Sequence, residues 1–351
     1  MSYSKIVIGT DGSETAAVAL QTAVTLAKEF GGRLVITYAV DPSTADPDVA
    51  DAVLEYALTQ ARRDGADARA VRRGGNPAEV LVRTARDEEA DLIVVGNRGM
   101  GHRARRFIVG GAPDEVSHMS PCDLLIVRTA TRSDEAGEPG EYRRILVGVD
   151  GSPTADEASR QAYDLSVMLG ARLSLVSVGE PLMANIVLRD TAERLGGRRI
   201  ETAALRGDPA DRISEAAADQ DADLVVVGNK GMAGPKRFVL GSVPDRISHQ
   251  APRDVLIVRT TGKALAEIGP GEGSLVLEGG RRLAAYRDEE GRAHVLVPKC
   301  THMGCTVGWN DAERTWDCPC HGSRFDIEGN VVQGPAKVAL APVEIPEMET
   351  R

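Results

Sequence analysis

The chain of 351 residues contains no apolar run that approaches the length of a bilayer-spanning helix, so an integral helical membrane protein is not the reading to begin from. Its opening, Met1-Ser2-Tyr3-Ser4-Lys5-Ile6-Val7-Ile8, passes into a strand-like segment without the long apolar core of a signal peptide. The expected address is cytoplasmic, with no membrane anchor. Basic charge is scarce: 42 Lys and Arg against 52 Asp and Glu give a formal net charge of -10 and a pI near 5.3. Such a surface repels nucleic acid and anionic membranes, and neither is expected as a partner. Cysteine is nearly absent from the first 299 residues, where Cys122 stands alone, so the chain is not a secreted disulfide scaffold.

What is present begins with a repeat. Lys5-Ile6-Val7-Ile8-Gly9-Thr10-Asp11-Gly12-Ser13 recurs as Arg144-Ile145-Leu146-Val147-Gly148-Val149-Asp150-Gly151-Ser152. Ala90 to Met100 recurs as Ala222 to Met232, and Ser120 to Arg128 as Ala251 to Arg259. Two homologous units therefore stand in tandem. In each, continuous apolar runs such as Ile6 to Ile8, Leu34 to Tyr38, Leu92 to Val95 and Leu124 to Val127 alternate with Ala-rich amphipathic segments such as Thr15 to Phe30. That alternation predicts an α/β fold, a doubly wound parallel sheet with helices on both faces. The units are expected at 1–130 and 142–260, joined by a Gly-, Pro- and acid-rich linker at 131–141. From about residue 262 the alternation stops. Short β-like runs separated by turn signals then predict a small all-β domain at 262–351, and it holds both tryptophans, Trp309 and Trp316.

The second unit carries Gly228-Asn229-Lys230-Gly231, nine residues, then Gly241-Ser242 between a strand and a helix. Glycines let backbone N–H groups face an anion, and the helix N-terminus adds positive potential there. This is a candidate phosphate cradle, distinct from a Walker A loop. With these motifs, residues 1–260 resemble universal stress protein domains, whose fold is Rossmann-like and similar to adenine nucleotide alpha hydrolases. In the nucleotide-binding branch of that family, G-x-x-G-x9-G-[ST] holds phosphates, and an Asp ends the first strand beside the nucleoside. The resemblance implies that Asp150, Gly228, Lys230, Gly231, Gly241 and Ser242 bind ATP or a related adenine nucleotide. Gly148, Val149, Val178, Val227 and Val243 then belong to the adenosine pocket. In the first unit Asp11, Gly96, Arg98 and Gly99 match, but ten residues separate Gly99 from Gly110, and Gly111 replaces the hydroxyl residue. Asp11 and Asp150 offer one carboxylate each to a Mg²⁺ ion. With no water-positioning partner evident, binding without turnover is expected, and no catalytic residue is assigned.

Three single residues receive structural readings. Cys122 aligns with Arg253, so the repeat requires no thiol there, and a small, partly buried residue is expected. His118 and His249 occupy equivalent positions at the end of the last helix of each unit, where an imidazole caps terminal carbonyls.

The remaining four cysteines lie in Cys300-Thr301-His302-Met303-Gly304-Cys305 and Cys318-Pro319-Cys320-His321-Gly322-Ser323. C-x-H and C-x-x-H loops bring together two thiolates and two imidazoles, a set that serves zinc or a two-iron cluster. Zinc fingers more often segregate sulfur and nitrogen between loops; here each loop contributes one of each. The two segments resemble the cluster-binding loops of Rieske proteins of the cytochrome bc type. That resemblance implies a [2Fe–2S] cluster, with Cys300 and Cys318 on one iron and His302 and His321 on the other. It further implies a Cys305–Cys320 disulfide and a Ser323 hydroxyl that donates to a bridging sulfide. Phe325 stands where high-potential members carry a tyrosine, so a lower potential is expected.

Only 30 residues follow His321, too few for an oxygenase domain with its own mononuclear iron. The combined reading is a cytoplasmic nucleotide-binding stress protein with a Rieske electron-transfer or redox-sensing module that exchanges electrons with a separate redox partner protein. The alternative is an electron-carrier component of an oxidoreductase system whose stress domains serve docking and dimerisation. The resemblance also suggests an intramolecular pseudo-dimer through Leu124 to Val127 and Val255 to Val258, with a homodimer as a further arrangement.

Overall fold

The computed structural model describes residues 3–40, 47–97, 111–128, 138–196, 200–229, 242–259, 265, 268–278, 281–304, 306–318 and 321–343. The chain separates into two compact units, Ser2–Arg259 and Thr260–Arg351. Among the described residues, no helix is long and apolar enough to cross a membrane.

In the larger unit the first repeat runs β1 (Lys5–Gly9), α1 (Glu14–Phe30), β2 (Arg33–Val40), α2 (Pro47–Arg63), β3 (Asp67–Gly74), α3 (Pro77–Asp87), β4 (Leu92–Gly96), α4 (Gly111–Met119) and β5 (Asp123–Val127). The second repeats it as β6 (Arg144–Gly148), α5 (Pro153–Leu169), β7 (Arg172–Val178), α6 (Pro181–Arg194), β8 (Ile200–Leu205), α7 (Pro209–Asp219), β9 (Leu224–Gly228), α8 (Ser242–Gln250) and β10 (Asp254–Val258). The strands form one sheet in the order β3-β2-β1-β4-β5-β10-β9-β6-β7-β8. Pairing is parallel within each repeat and antiparallel where β5 meets β10, with Val255 opposite Ile126 and Ile257 opposite Leu124.

The central strands β4, β5, β9 and β10 are buried along their whole length because both faces are covered, whereas the edge strands β3 and β8 carry charged and exposed residues. Ile6 and Ile8 join a core with α1 and α2 residues such as Ala19, Leu20 and Ala57, whereas Val7 between them joins a second core with Ala78, Leu81 and Val116 of α3 and α4. Each fully buried aliphatic side chain contributes about 1.5–3 kcal/mol relative to exposure, so the period-two division of one strand between two cores holds both helical layers in place.

Local chemistry fixes where the helices start. In the repeated Asp-Gly-Ser, the glycine has positive φ (+78° at both Gly12 and Gly151), a conformation costly for other residues. The serine is then the N-cap: Ser13 Oγ accepts from Ala16 N–H and Ser152 Oγ from Ala155 N–H. Asn76 and Asp208 cap α3 and α7, each with proline in the first turn.

The seam between repeats is built twice over by the same groups. Tyr3 O–H donates to Asp123 Oδ2, and Tyr142 O–H to Asp254 Oδ2, both at 2.9 Å. Across the seam, Arg128 N–H donates to Asp254 Oδ1 (2.7 Å) and Arg259 N–H to Asp123 Oδ1 (2.8 Å). Burial and the neighbouring Asp123 carboxylate push the Tyr3 phenol well above its ordinary value, so it remains a neutral donor. Cys122 is partly buried beside this seam; burial and Asp123 also push its thiol up, which keeps it protonated and unreactive.

The smaller unit is all β. β11 (Gly273–Glu278), β12 (Arg281–Arg287) and β13 (Ala293–Leu296) form one antiparallel sheet. β14 (Gly308–Asn310), β15 (Thr315–Asp317), β16 (Arg324–Phe325) and β17 (Val331–Gln333) form another. A glycine is required at 273, because a Cβ there would stand 2.2 Å from the Trp309 ring. Trp316, Phe325, Cys300 and Cys318 are buried together in one cluster.

Candidate functional site

Two places in the fold gather the residues singled out from the sequence. In the second repeat, the carboxyl ends of β6, β7 and β9 and the start of α8 enclose a cavity of about 110 Å³. Gly148, Val149, Asp150, Val178, Val227, Gly228 and Val243 line it, together with Ala155, Pro209, Ile213 and Pro244. This is the switch-point position at which open parallel sheets bind ligands. The four additional lining residues come from helices α5, α7 and α8, and their convergence on β6 cannot be read from local pattern. Ser242 opens α8, whose free N–H groups and dipole favour an anion. Lys230, Gly231 and Gly241 lie outside the described residues.

Close approach explains the glycines. A Cβ on Gly228 would stand 2.7 Å from Thr154 O, and one on Gly148 would stand 2.8 Å from Ile213 Cδ1. Asp150 is exposed, and its Oδ1 accepts from Ser152 N–H at 2.9 Å, which orients the carboxylate at the mouth of the cavity. Arg246 on α8 pairs with Asp208, the N-cap of α7, and with Asp211 on that helix, both at 2.7 Å, and thereby ties α8, whose start lines the cavity, to α7. The hydrogen bond from Arg246 holds the Asp208 carboxyl below the usual carboxylate range. The corresponding position in the first repeat is Glu115. There, Asp11 Oδ1 accepts from Ser13 N–H at 3.0 Å, and Gly96 ends β4 with no room for a Cβ against Thr15 O. Arg98, Gly99 and Gly110 lie outside the described residues.

In the smaller unit, Lys299 and Thr306 form a β-bridge at the base of the first loop. Both loops close in the same way. Gly304 N–H donates to Cys300 O (2.8 Å) and Gly322 N–H to Cys318 O (3.0 Å), with φ of +75° and +71° at the two glycines. Each turn leaves its cysteine inside and its histidine outside. Cys300 and Cys318 are 2% and 3% exposed, while His302 and His321 are exposed, with ring centroids 4.9 Å apart and planes at 85°. Ser323 is fully buried; its Oγ accepts from Ala336 N–H (3.0 Å), so its own hydroxyl hydrogen is directed elsewhere. Phe325 is fully buried in the same cluster as both cysteines. Cys305 and Cys320, the expected disulfide pair, lie outside the described residues.

Two buried sulfurs and two surface imidazoles converging from paired loops fit a cluster whose sulfur-ligated iron is inside and whose nitrogen-ligated iron faces outward. A zinc ion would also accept this donor set, but the separation of sulfur from nitrogen by depth is the feature a two-metal group uses.

Comparison with known proteins agrees with this division. The universal stress protein family matches residues 2–128, 141–188 and 182–259, and the Rieske [2Fe-2S] domain matches residues 263–344. Over 79 residues the chain is 54% identical to a Bacillus subtilis protein, YhfW, described as a Rieske 2Fe-2S iron-sulfur protein; the match covers 22% of this chain and 16% of that one. Over 102 residues it is 35% identical to the cytochrome b6-f complex iron-sulfur subunit 2 of Trichormus variabilis, covering 29% of this chain and 53% of that one. The chain thus spans about half or less of the length of these relatives. The crystal structure of a universal stress protein from Archaeoglobus fulgidus superposes with a TM-score of 0.60 at 18% identity, covering 74% of this chain and 99% of that one, a likeness of fold.

Proposed function

Since the chain belongs to the universal stress protein family and ends in a Rieske [2Fe-2S] domain, we propose that it is a cytoplasmic protein that couples adenine-nucleotide binding to electron transfer or redox sensing. The observation that carries the redox half is the paired loops, with thiols buried and imidazoles exposed. A [2Fe–2S] cluster held there supplies one-electron oxidation and reduction. Cys300 and Cys318 would hold the inner iron, in surroundings closed by Trp316, Phe325 and Leu340 that exclude water. His302 and His321 would hold the outer iron and present its edge at the surface, where a partner protein can approach. Ser323, fixed by Ala336 N–H, is the hydroxyl available to donate toward the cluster sulfur. A disulfide between Cys305 and Cys320 would tie the loops and, for a loop of about 15 residues, add roughly 3 kcal/mol in the chain-entropy account.

The nucleotide half rests on the cavity of the second repeat. Gly148, Val149, Val178 and Val227 form its apolar floor, and α8 turns its N-terminus toward it. The nucleoside would lie on that floor with Asp150 at its rim, and ATP with Mg²⁺ is the expected species. Binding rather than hydrolysis is the role proposed.

A redox titration of the reduced protein with and without saturating Mg-ATP tests the coupling. The expected result is a nucleotide-dependent change in midpoint potential or in the rate of reaction with an electron acceptor. No change in either would favour the electron carrier whose stress domains serve docking and dimerisation.

A further inference from the structure

α4 carries Asp114 and His118 four residues apart on one face, and α8 carries Asp245 and His249 with the same spacing. The seam between repeats brings these pairs together. His249 Nε2 lies 3.2 Å from Asp114 Oδ1, and His118 Nε2 lies 3.6 Å from Asp245 Oδ1 and 4.0 Å from Asp114 Oδ1. Asp114, Asp245 and His249 each offer a ligand atom within 4.8 Å of the other two. We propose that Asp114, Asp245 and His249, with His118 beside them, form a site for a divalent transition-metal cation of the zinc type between the two repeats.

The distances suit such an ion. Bonds of about 2.0–2.1 Å to nitrogen and oxygen place the donors of a tetrahedron roughly 3.3 Å apart. Two carboxylates and two neutral imidazoles balance a divalent charge, and imidazole with carboxylate is a donor set that zinc accepts. The tautomer points the same way. His249 Nδ1 lies 2.8 Å from the backbone oxygen of Asp245, which can only accept, so Nδ1 carries the hydrogen. The Nε2 lone pair then faces the Asp114 carboxylate. That approach is unfavourable unless a cation or a proton lies between them, and the backbone carbonyl plays the orienting part that outer partners play for zinc-bound histidines.

The fold also holds both helices in place. The Arg128 guanidinium, on the strand end of the first repeat, donates to Ser248 O beside His249. Arg259 Nη2, from the second, donates to Ser117 O beside His118 at 3.1 Å. Both arginines are buried, so the last turns of α4 and α8 are fastened crosswise to the opposite repeat. The four donor side chains remain between 32% and 41% exposed, which leaves the ion a path in.

Zn²⁺ titration of the full chain with its iron–sulfur cluster in place, by calorimetry and elemental analysis, tests the site. The expected result is one Zn²⁺ per chain, with affinity at least about tenfold lower in His249→Gln and in Asp114→Asn, the smallest loss seen even for outer supporting groups. Iron content should not change. Zn²⁺ should raise the unfolding temperature of the parent protein and not of the variants. Should either variant fail to fold, Asp245→Asn takes its place. Absence of Zn²⁺ binding, or binding unchanged in the variants, would overturn the proposal and leave the four residues as a histidine–aspartate contact between the repeats.

Discussion

The two units place their chemistry in opposite parts of the chain. In the smaller unit the candidate site is made of side chains: two thiols and two imidazoles on two loops, whose turns leave sulfur inside and nitrogen outside. In the cavity of the larger unit the chemistry resides in backbone placement: glycines at strand ends, a helix start and a lining of residues that are mostly core. A side-chain site fails when one donor is removed. A backbone site fails when the frame moves, and that difference orders the expected effects.

Cys318→Ser should produce the largest. One inner thiolate is lost from a buried position, and the expected outcome is loss of the cluster's visible absorption and EPR signal from the folded protein. Retention of both would break the comparison at its root. Gly228→Ala comes next, because its Cβ would meet Thr154 O at 2.7 Å and neither β9 nor the start of α5 can yield without moving the cavity. Overpacking of this kind costs about 1–3 kcal/mol, read as a lower denaturation midpoint for the larger unit, and nucleotide binding should fall with it.

Asp254→Ala removes the hydrogen bonds from the Tyr142 hydroxyl and the Arg128 N–H at the seam, each loss costing about 1–3 kcal/mol where burial is complete. Asp123→Ala removes the equivalent bonds from Tyr3 and Arg259 and also the one from Gln161 Nε2, so it should lose at least as much stability in parallel melts. A smaller loss for Asp123→Ala would show that its carboxylate does not hold the seam in this way. The smallest effect is expected from Phe325→Tyr, which adds a donor inside the cluster that holds both cysteines. The potential should rise within the Rieske range of roughly -150 to +300 mV, and an unchanged or lower value would remove Phe325 from the account.

The same contrast explains what was legible in the sequence. The paired thiol and imidazole loops could be read directly, because Cys300, His302, Cys318 and His321 lie within 22 residues at fixed spacings, whereas the preference for an iron–sulfur cluster over zinc rests on the resemblance of the loops. The parallel sheets could be read from runs buried on both faces, and the repeat from its duplicated strand ends. Asp-Gly-Ser was legible as a marked position but not as a helix cap, since capping depends on the φ of Gly12 and Gly151. His118 and His249 were legible only as caps of terminal carbonyls, yet His249 Nδ1 meets the carbonyl of Asp245 in the first turn of α8, and the carbonyls of Ser117 and Ser248 near the helix ends accept from Arg259 and Arg128. The meeting of His118 with Asp245 and of His249 with Asp114, residues of different repeats, depends on the antiparallel join of β5 and β10, which no local pattern encodes.

The most direct test of the central claim is EPR spectroscopy of the anaerobically purified, reduced protein. Mixed nitrogen and sulfur ligation predicts a rhombic signal with a low average g-value and two iron atoms per chain. A colourless, EPR-silent protein carrying zinc at Cys300, His302, Cys318 and His321 would contradict it.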